Sequence, residues 1–155
     1  MKKILLVTLV MIVGCSDNNK KNNLKINNIN KQLNVKSSNV TVLVEVSFKD
    51  EIDVIKKFIT DEQSPLFYEL NDDGIIRFEW FLNEENKTGI LIEEFKNSNV
   101  WEGLGNKVLG SPINLRFREL FKVEKLTVLG DINETFKEKI QGMNPIINSY
   151  AGGVK

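Results

Sequence analysis

The chain of 155 residues carries 21 basic and 21 acidic side chains, no histidine and a single cysteine. Without imidazole or a second thiol it cannot build the usual zinc, copper or haem-iron sites, a Ser/His/Asp or Cys/His nucleophile, or an intrachain disulfide. The zero net charge conceals a split: residues 16–38 hold five Lys against one Asp, and the rest up to Lys155 holds fourteen basic against twenty acidic residues. An acidic folded part with no basic stripe is a poor nucleic-acid partner.

Lys2 and Lys3 precede an apolar run, 4–13, that only Thr8 interrupts. The run is short of the roughly 20 apolar residues that a hydrocarbon layer of about 30 Å requires, which makes 1–14 a signal peptide rather than a membrane span. Ile12-Val13-Gly14-Cys15 resembles a lipobox, whose small residues admit the peptidase and whose thiol accepts diacylglycerol. Cys15 is thus the expected lipidation site and a membrane the expected partner. Each buried CH₂ contributes about 0.8 kcal/mol, so several acyl chains suffice to anchor a protein. Ser16, in place of Asp, favours an outer membrane where the cell has one. Residues 15–38, rich in Asn and Lys with isolated Leu24, Ile26, Ile29, Leu33 and Val35, read as a flexible tether.

From Val40 onward the chain alternates, with Val40, Val42, Val44, Val46 and Phe48 on one side of a strand. Asp50 can cap a helix bearing Ile52, Ile55 and Ile59, which Ser64-Pro65 should end, and Asn71-Asp72-Asp73-Gly74 makes a turn. Residues 75–82 form a second strand with Ile76, Phe78, Trp80 and Leu82 on one side, and 88–95 return as the other arm of a hairpin. Ser98 can cap a helix with Trp101, Leu104 and Val108, and after Gly110-Ser111-Pro112 a second helical piece carries Ile113, Phe117, Leu120 and Phe121. Residues 123–129 are the fourth strand. Asp131 and Glu134 are spaced as a capping box for a last helix, and 145–154 trail as an irregular or extended tail. The order βαββαβ with a helical appendage over 39–155 is the ferredoxin-like, split-βαβ α+β arrangement, an antiparallel sheet with helices on one face.

Four segments in register resemble the antibiotic biosynthesis monooxygenase-like proteins, and within them the quinol-monooxygenase type. They are Arg77-Phe78-Glu79-Trp80-Phe81-Leu82, Ile92-Glu93-Glu94-Phe95-Lys96-Asn97-Ser98, Leu126-Thr127-Val128-Leu129-Gly130-Asp131 and Tyr150-Ala151-Gly152-Gly153. The resemblance covers most of residues 70–155. It implies a homodimeric α+β barrel whose lumen holds a small aromatic ligand, and oxygen chemistry with no metal or prosthetic group. Gly103 stands before Leu104 where that subgroup often carries a histidine, so any role of that side chain is lost here.

Read from the residues, strand alternation is expected to gather Glu45, Arg77, Glu79 and Glu93 on one sheet face together with Leu43, Ile75, Phe81, Leu91 and Phe95. Clustered carboxylates raise one another's pKa, which makes Glu79 or Glu93 a usable base with Arg77 beside it. The competing reading is an ion-pair network without catalysis. Glu45, Trp80, Phe81, Phe95, Trp101 and Tyr150 are the expected ligand contacts, with core packing the alternative for both tryptophans and a water-facing hydroxyl the alternative for Tyr150 and Tyr68.

Overall fold

A computed structural model describes residues 33–70 and 73–154. The signal segment, Cys15, most of the tether, and Asn71 and Asp72 of the turn lie outside the described residues. Among the described residues no helix is long and apolar enough to cross a membrane.

The short strand β1 (Leu33–Asn34) pairs antiparallel with β7 (Gly153–Val154), so ordered pairing begins ahead of the alternation at Val40. Strand β2 (Val40–Phe48) follows the sequence pattern, with Val40, Val42, Val46 and Phe48 buried. Helix α1 (Ile52–Lys57) runs into a π-helical turn, Phe58–Gln63, and on into α2 (Ser64–Glu69). Ser64-Pro65 therefore does not end the helix. The Ser64 amide donates to the Ile59 carbonyl across the wide turn, and Pro65, which has no amide hydrogen to place, sits at the start of α2. Glu51, not Asp50, is the N-cap residue of α1, with no side-chain cap bond.

Strands β3 (Ile75–Asn83) and β4 (Thr88–Phe95) form the expected hairpin. Helix α3 (Ser98–Val108) is capped by Asn97, whose side chain accepts from the Val100 amide at 3.1 Å, while the Ser98 hydroxyl accepts from the Asn133 amide at 2.9 Å. Helix α4 (Pro112–Leu120) leads directly into β5 (Phe121–Leu129), so Phe121 opens a strand instead of closing a helix. Helix α5 (Glu134–Ile140) starts from Asn133 without a side-chain cap, and the tail supplies β6 (Ile146–Asn148). The Asp131/Glu134 capping box is absent.

The main sheet is ordered β3-β4-β2-β5-β6; its first four strands are antiparallel and β6 joins β5 in parallel. That is the ferredoxin-like order, with helices covering one face and the other left open. The inner-face residues Val40, Val42, Phe95, Leu126 and Val128 join Phe67, Trp101, Leu104, Phe136 and Ile140 of the helix layer in one core cluster. Val46, Phe48 and Phe121 join Ile55, Phe58, Ile59 and Leu120 in a second, and Val44 touches both. All described residues belong to one compact unit, Lys31–Lys155. Gly130, at φ +122°, closes the β5 end: a Cβ there would stand 2.5 Å from the Asn39 carbonyl oxygen.

Candidate functional site

Strand register divides the expected site. Glu93 lies opposite Val42 on β2 and opposite Phe78 on β3, and these are inner-face residues. Arg77 lies opposite Glu94, Glu79 opposite Ile92 and Phe81 opposite Ile90, on the outer face. The expectation that Glu93 shares a face with Glu45, Arg77 and Glu79 is therefore corrected. Leu91 and Phe95 go inward with Glu93, and a register shift between Ile75 and Arg77 turns Ile75 inward and Ile76 out. The cause is hairpin geometry: from Phe78 onward β3 commits its even positions to the core, and this hairpin pairs even residues of β3 with odd residues of β4.

On the outer face Arg77 pairs with Glu79, Lys125 with Glu45 and Lys122 with Glu124. The Arg77 Nε donates to Glu79 Oε2 at 2.6 Å with the guanidinium 5.9 Å from the Phe81 ring centre, and Lys125 Nζ stands 3.2 Å from Glu45 Oε1. Hydrogen bonds from Lys122 and Ser47 hold the Glu124 carboxyl below the usual carboxylate range. Between these pairs the face exposes Phe81 and Ile90, 51% and 43% accessible. Tyr150 lies elsewhere, its hydroxyl donating to the Asn34 carbonyl at 2.9 Å where the tail meets β1. Phe95 is fully buried and stacks on Trp101 at 6.2 Å. The expected ligand contacts thus fall into three separate places.

The inner face holds a cavity of about 160 Å³ between the sheet and the helices. Its walls come from both core clusters, with Phe67, Trp101 and Leu104 from one and Phe117 and Ile113 from the margin of the other, so the void marks where the two clusters fail to merge. Among the described residues Glu93 is its only ionisable lining residue. The carboxyl has no hydrogen-bond or ion-pair partner among the described residues, and burial alone pushes it up from 4.5 to about 7. It is half-buried by surface because the cavity adjoins it, and the lining around it is apolar apart from the amides of Gln63 and Asn114. A carboxyl in such a setting prefers its neutral form and takes a proton readily near neutral pH.

Gln63 is the residue that sequence reasoning missed. It ends the π turn, lines the cavity at 5% exposure, and its Oε1 accepts from the Trp80 indole N–H at 2.8 Å. Its signal was present, since Gln63 continues the Ile55, Ile59 helical stripe by four residues. Trp80 stacks on Phe121 at 5.0 Å, and Phe78 on Phe67 at 3.9 Å. Among the described residues no group of three or more Cys, Asp or Glu side chains is placed to hold a metal ion.

Fold and cavity together define a ferredoxin-like α+β domain with an acid-bearing apolar chamber under its helix layer. No family model matches the chain, and no curated protein does either. Solved structures do: MupZ from Pseudomonas fluorescens is similar with a TM-score of 0.60 at 12% identity, over 74% of this chain and 91% of that one. A conserved protein of unknown function from Bacteroides thetaiotaomicron, a possible oxidoreductase, gives 0.48 at 17% identity, over 60% and 97%. Rv0793 from Mycobacterium tuberculosis gives 0.45 at 20% identity, over 63% and 98%. At such identities the MupZ likeness establishes a shared fold, mixed α+β with an antiparallel sheet covered by helices on one face.

Proposed function

We propose that this protein is an envelope lipoprotein, anchored through Cys15, whose domain binds one small phenolic or quinol-like ring in the Glu93 chamber and oxidises it as a monooxygenase-like enzyme. The observation that carries the reading is a lone, unpaired carboxyl in an apolar cavity of ring size. An engineered apolar cavity of about 150 Å³ holds a benzene, and this one measures about 160 Å³. The Glu93 carboxylate takes the phenolic proton and becomes the neutral acid that its surroundings favour. The resulting electron-rich anion is the reductant for oxygen: one oxygen atom enters the ring as a carbonyl and the other leaves as water with the hydroxyl hydrogen and the ring hydrogen it displaces, so the product is a quinone and no outside reductant is needed. No metal or prosthetic group is assigned a part. The reading predicts oxygen uptake above the uncatalysed rate when detergent-solubilised full chain meets phenols and quinols in air, and loss of that uptake in Glu93→Gln.

A second reading keeps the ligand and removes the reaction. It is favoured by Glu93 being, among the described residues, the sole ionisable group in the chamber wall. Ligand binding with no oxygen uptake would select it.

Two further parts of the proposal lie outside the chamber. Homodimerisation across the outer sheet face would cover Phe81 and Ile90, and stacked sheets meet about 10 Å apart. Anchoring requires Cys15 to carry lipid, so Cys15→Ala should abolish incorporation of labelled fatty acid and move the protein from the detergent phase to the aqueous phase. Retention of the label by that variant would remove the anchor.

A further inference from the structure

The cavity wall contains two polar side chains besides Glu93: Asn114, whose Oδ1 accepts from the Gly110 amide at 3.2 Å, and Gln63, whose orientation is fixed from behind. An indole N–H can only donate, so the 2.8 Å contact from Trp80 falls on the oxygen end of the Gln63 amide and settles which end is which. The amide nitrogen keeps both its hydrogens without a partner among the described residues, inside a side chain only 5% exposed. That nitrogen is not among the buried partnerless side-chain atoms, which among the described residues are Ser111 Oγ and Thr127 Oγ1, so it faces the open space of the cavity, where an acceptor on a ligand meets it. Trp80 is itself immobilised by its stack on Phe121, at 5.0 Å and 22° between ring planes. Register places Phe78 opposite Glu93 and Trp80 opposite Leu91, so the Trp80 anchor and the Glu93 carboxyl are diagonal neighbours on one face, with Cα atoms roughly 7–8 Å apart. Gln63 comes to this wall as the last residue of the π turn, a helix distortion that recurs at functional sites.

We infer that Gln63 is a specificity-determining residue and Trp80 the residue that positions it: the Gln63 amide donates to a second oxygen on the ring whose hydroxyl meets Glu93. The chamber then selects a ring bearing two oxygens over a simple phenol. The inference rests on the ring-binding reading above and adds to it the identity of the second recognition contact. A ring that offers a methyl group instead of an oxygen leaves the amide unpaired in its presence, and a site built to bond an oxygen discriminates strongly against such an analogue.

Hydroquinone and 4-methylphenol test this, because they match in shape and in phenolic acidity and differ in the second oxygen. Their affinities for the detergent-solubilised full chain are measured by calorimetry under nitrogen, so that no turnover intervenes. Hydroquinone is expected to bind at least about tenfold tighter. Gln63→Met, similar in length but without a donor, should bring the two ligands to within about twofold of each other while 4-methylphenol binds as before. Trp80→Phe, which frees the amide to turn over, should lower the same ratio without touching the carboxyl. A purely structural role for either residue would weaken both ligands equally. Equal affinities in the unsubstituted protein, or a preference that survives Gln63→Met, overturn the inference and leave ring binding intact. Binding of neither ligand overturns the ring-binding reading, and the inference with it.

Discussion

Replacing Glu93 with Gln should stabilise the protein, and only above acidic pH. In the unfolded chain the carboxyl ionises at its ordinary value of 4.5, and in the fold burial holds it protonated to about 7. Between those values the unfolded state has released a proton that the native state keeps, so stability falls as pH rises, by 1.36 kcal/mol per pH unit for a single group. Above pH 7 the penalty is complete, at about 3 kcal/mol, and below pH 4.5 it vanishes. Gln keeps the shape and has no charge to desolvate. The variant should match the parent near pH 4.5 and exceed it by about 3 kcal/mol at pH 8, which is on the order of 10 °C in melting temperature for a domain of this size. Urea titrations followed by circular dichroism at several pH values across that range measure both curves. Parallel pH profiles for the two proteins would refute the claim that the carboxyl is buried and unpaired, and would remove the physical basis for calling Glu93 a base.

Gly130→Ala should cost about 3 kcal/mol or more, because the new Cβ would meet the Asn39 carbonyl at 2.5 Å in a backbone conformation of positive φ; a variant as stable as the parent in urea would contradict that placement. Phe136→Ala, which removes a ring 2% exposed and set edge-on against Trp101 at 4.7 Å, should cost about 3–5 kcal/mol in the same assay. Phe81→Asp places a charge on the outer sheet face, on its edge strand β3; sedimentation should show monomers at concentrations where the parent is a dimer, and a monomeric parent would end the dimer proposal. Glu79→Gln breaks an exposed ion pair with Arg77 and should change monomer stability by under about 1 kcal/mol, so a much larger loss would mean that the pair is buried in an assembly.

The element order was legible because each signal was local. Alternation from Val40 to Phe48 names a strand with one buried side whatever it packs against, and Asn97 to Leu104 reads as a helix start even though the cap moved by one residue. Helix continuity past Pro65 was not legible: proline normally marks an end, and only a π turn that redirects the hydrogen bonds lets the chain pass through. Charge pairing on the outer face was half-legible. The Arg77/Glu79 spacing of two residues predicts neighbours on one face of a strand, and that pair formed.

The sequence by itself narrowed the chemistry open to this protein and set the order of its four long strands and the helices between them, while the short pairings of β1, β6 and β7 came only with the fold. With no histidine and one cysteine, proton transfer is left to carboxylates, lysines and tyrosines, and four strands with their helices admit few arrangements. Only the tertiary structure decided which carboxylate is buried. Ile90, Leu91 and Ile92 are apolar in succession, so β4 alone cannot say which of its sides faces the core; pairing with β3, whose Phe78, Trp80 and Leu82 are committed inward, sends Glu93 under the helices and Glu94 to the open face.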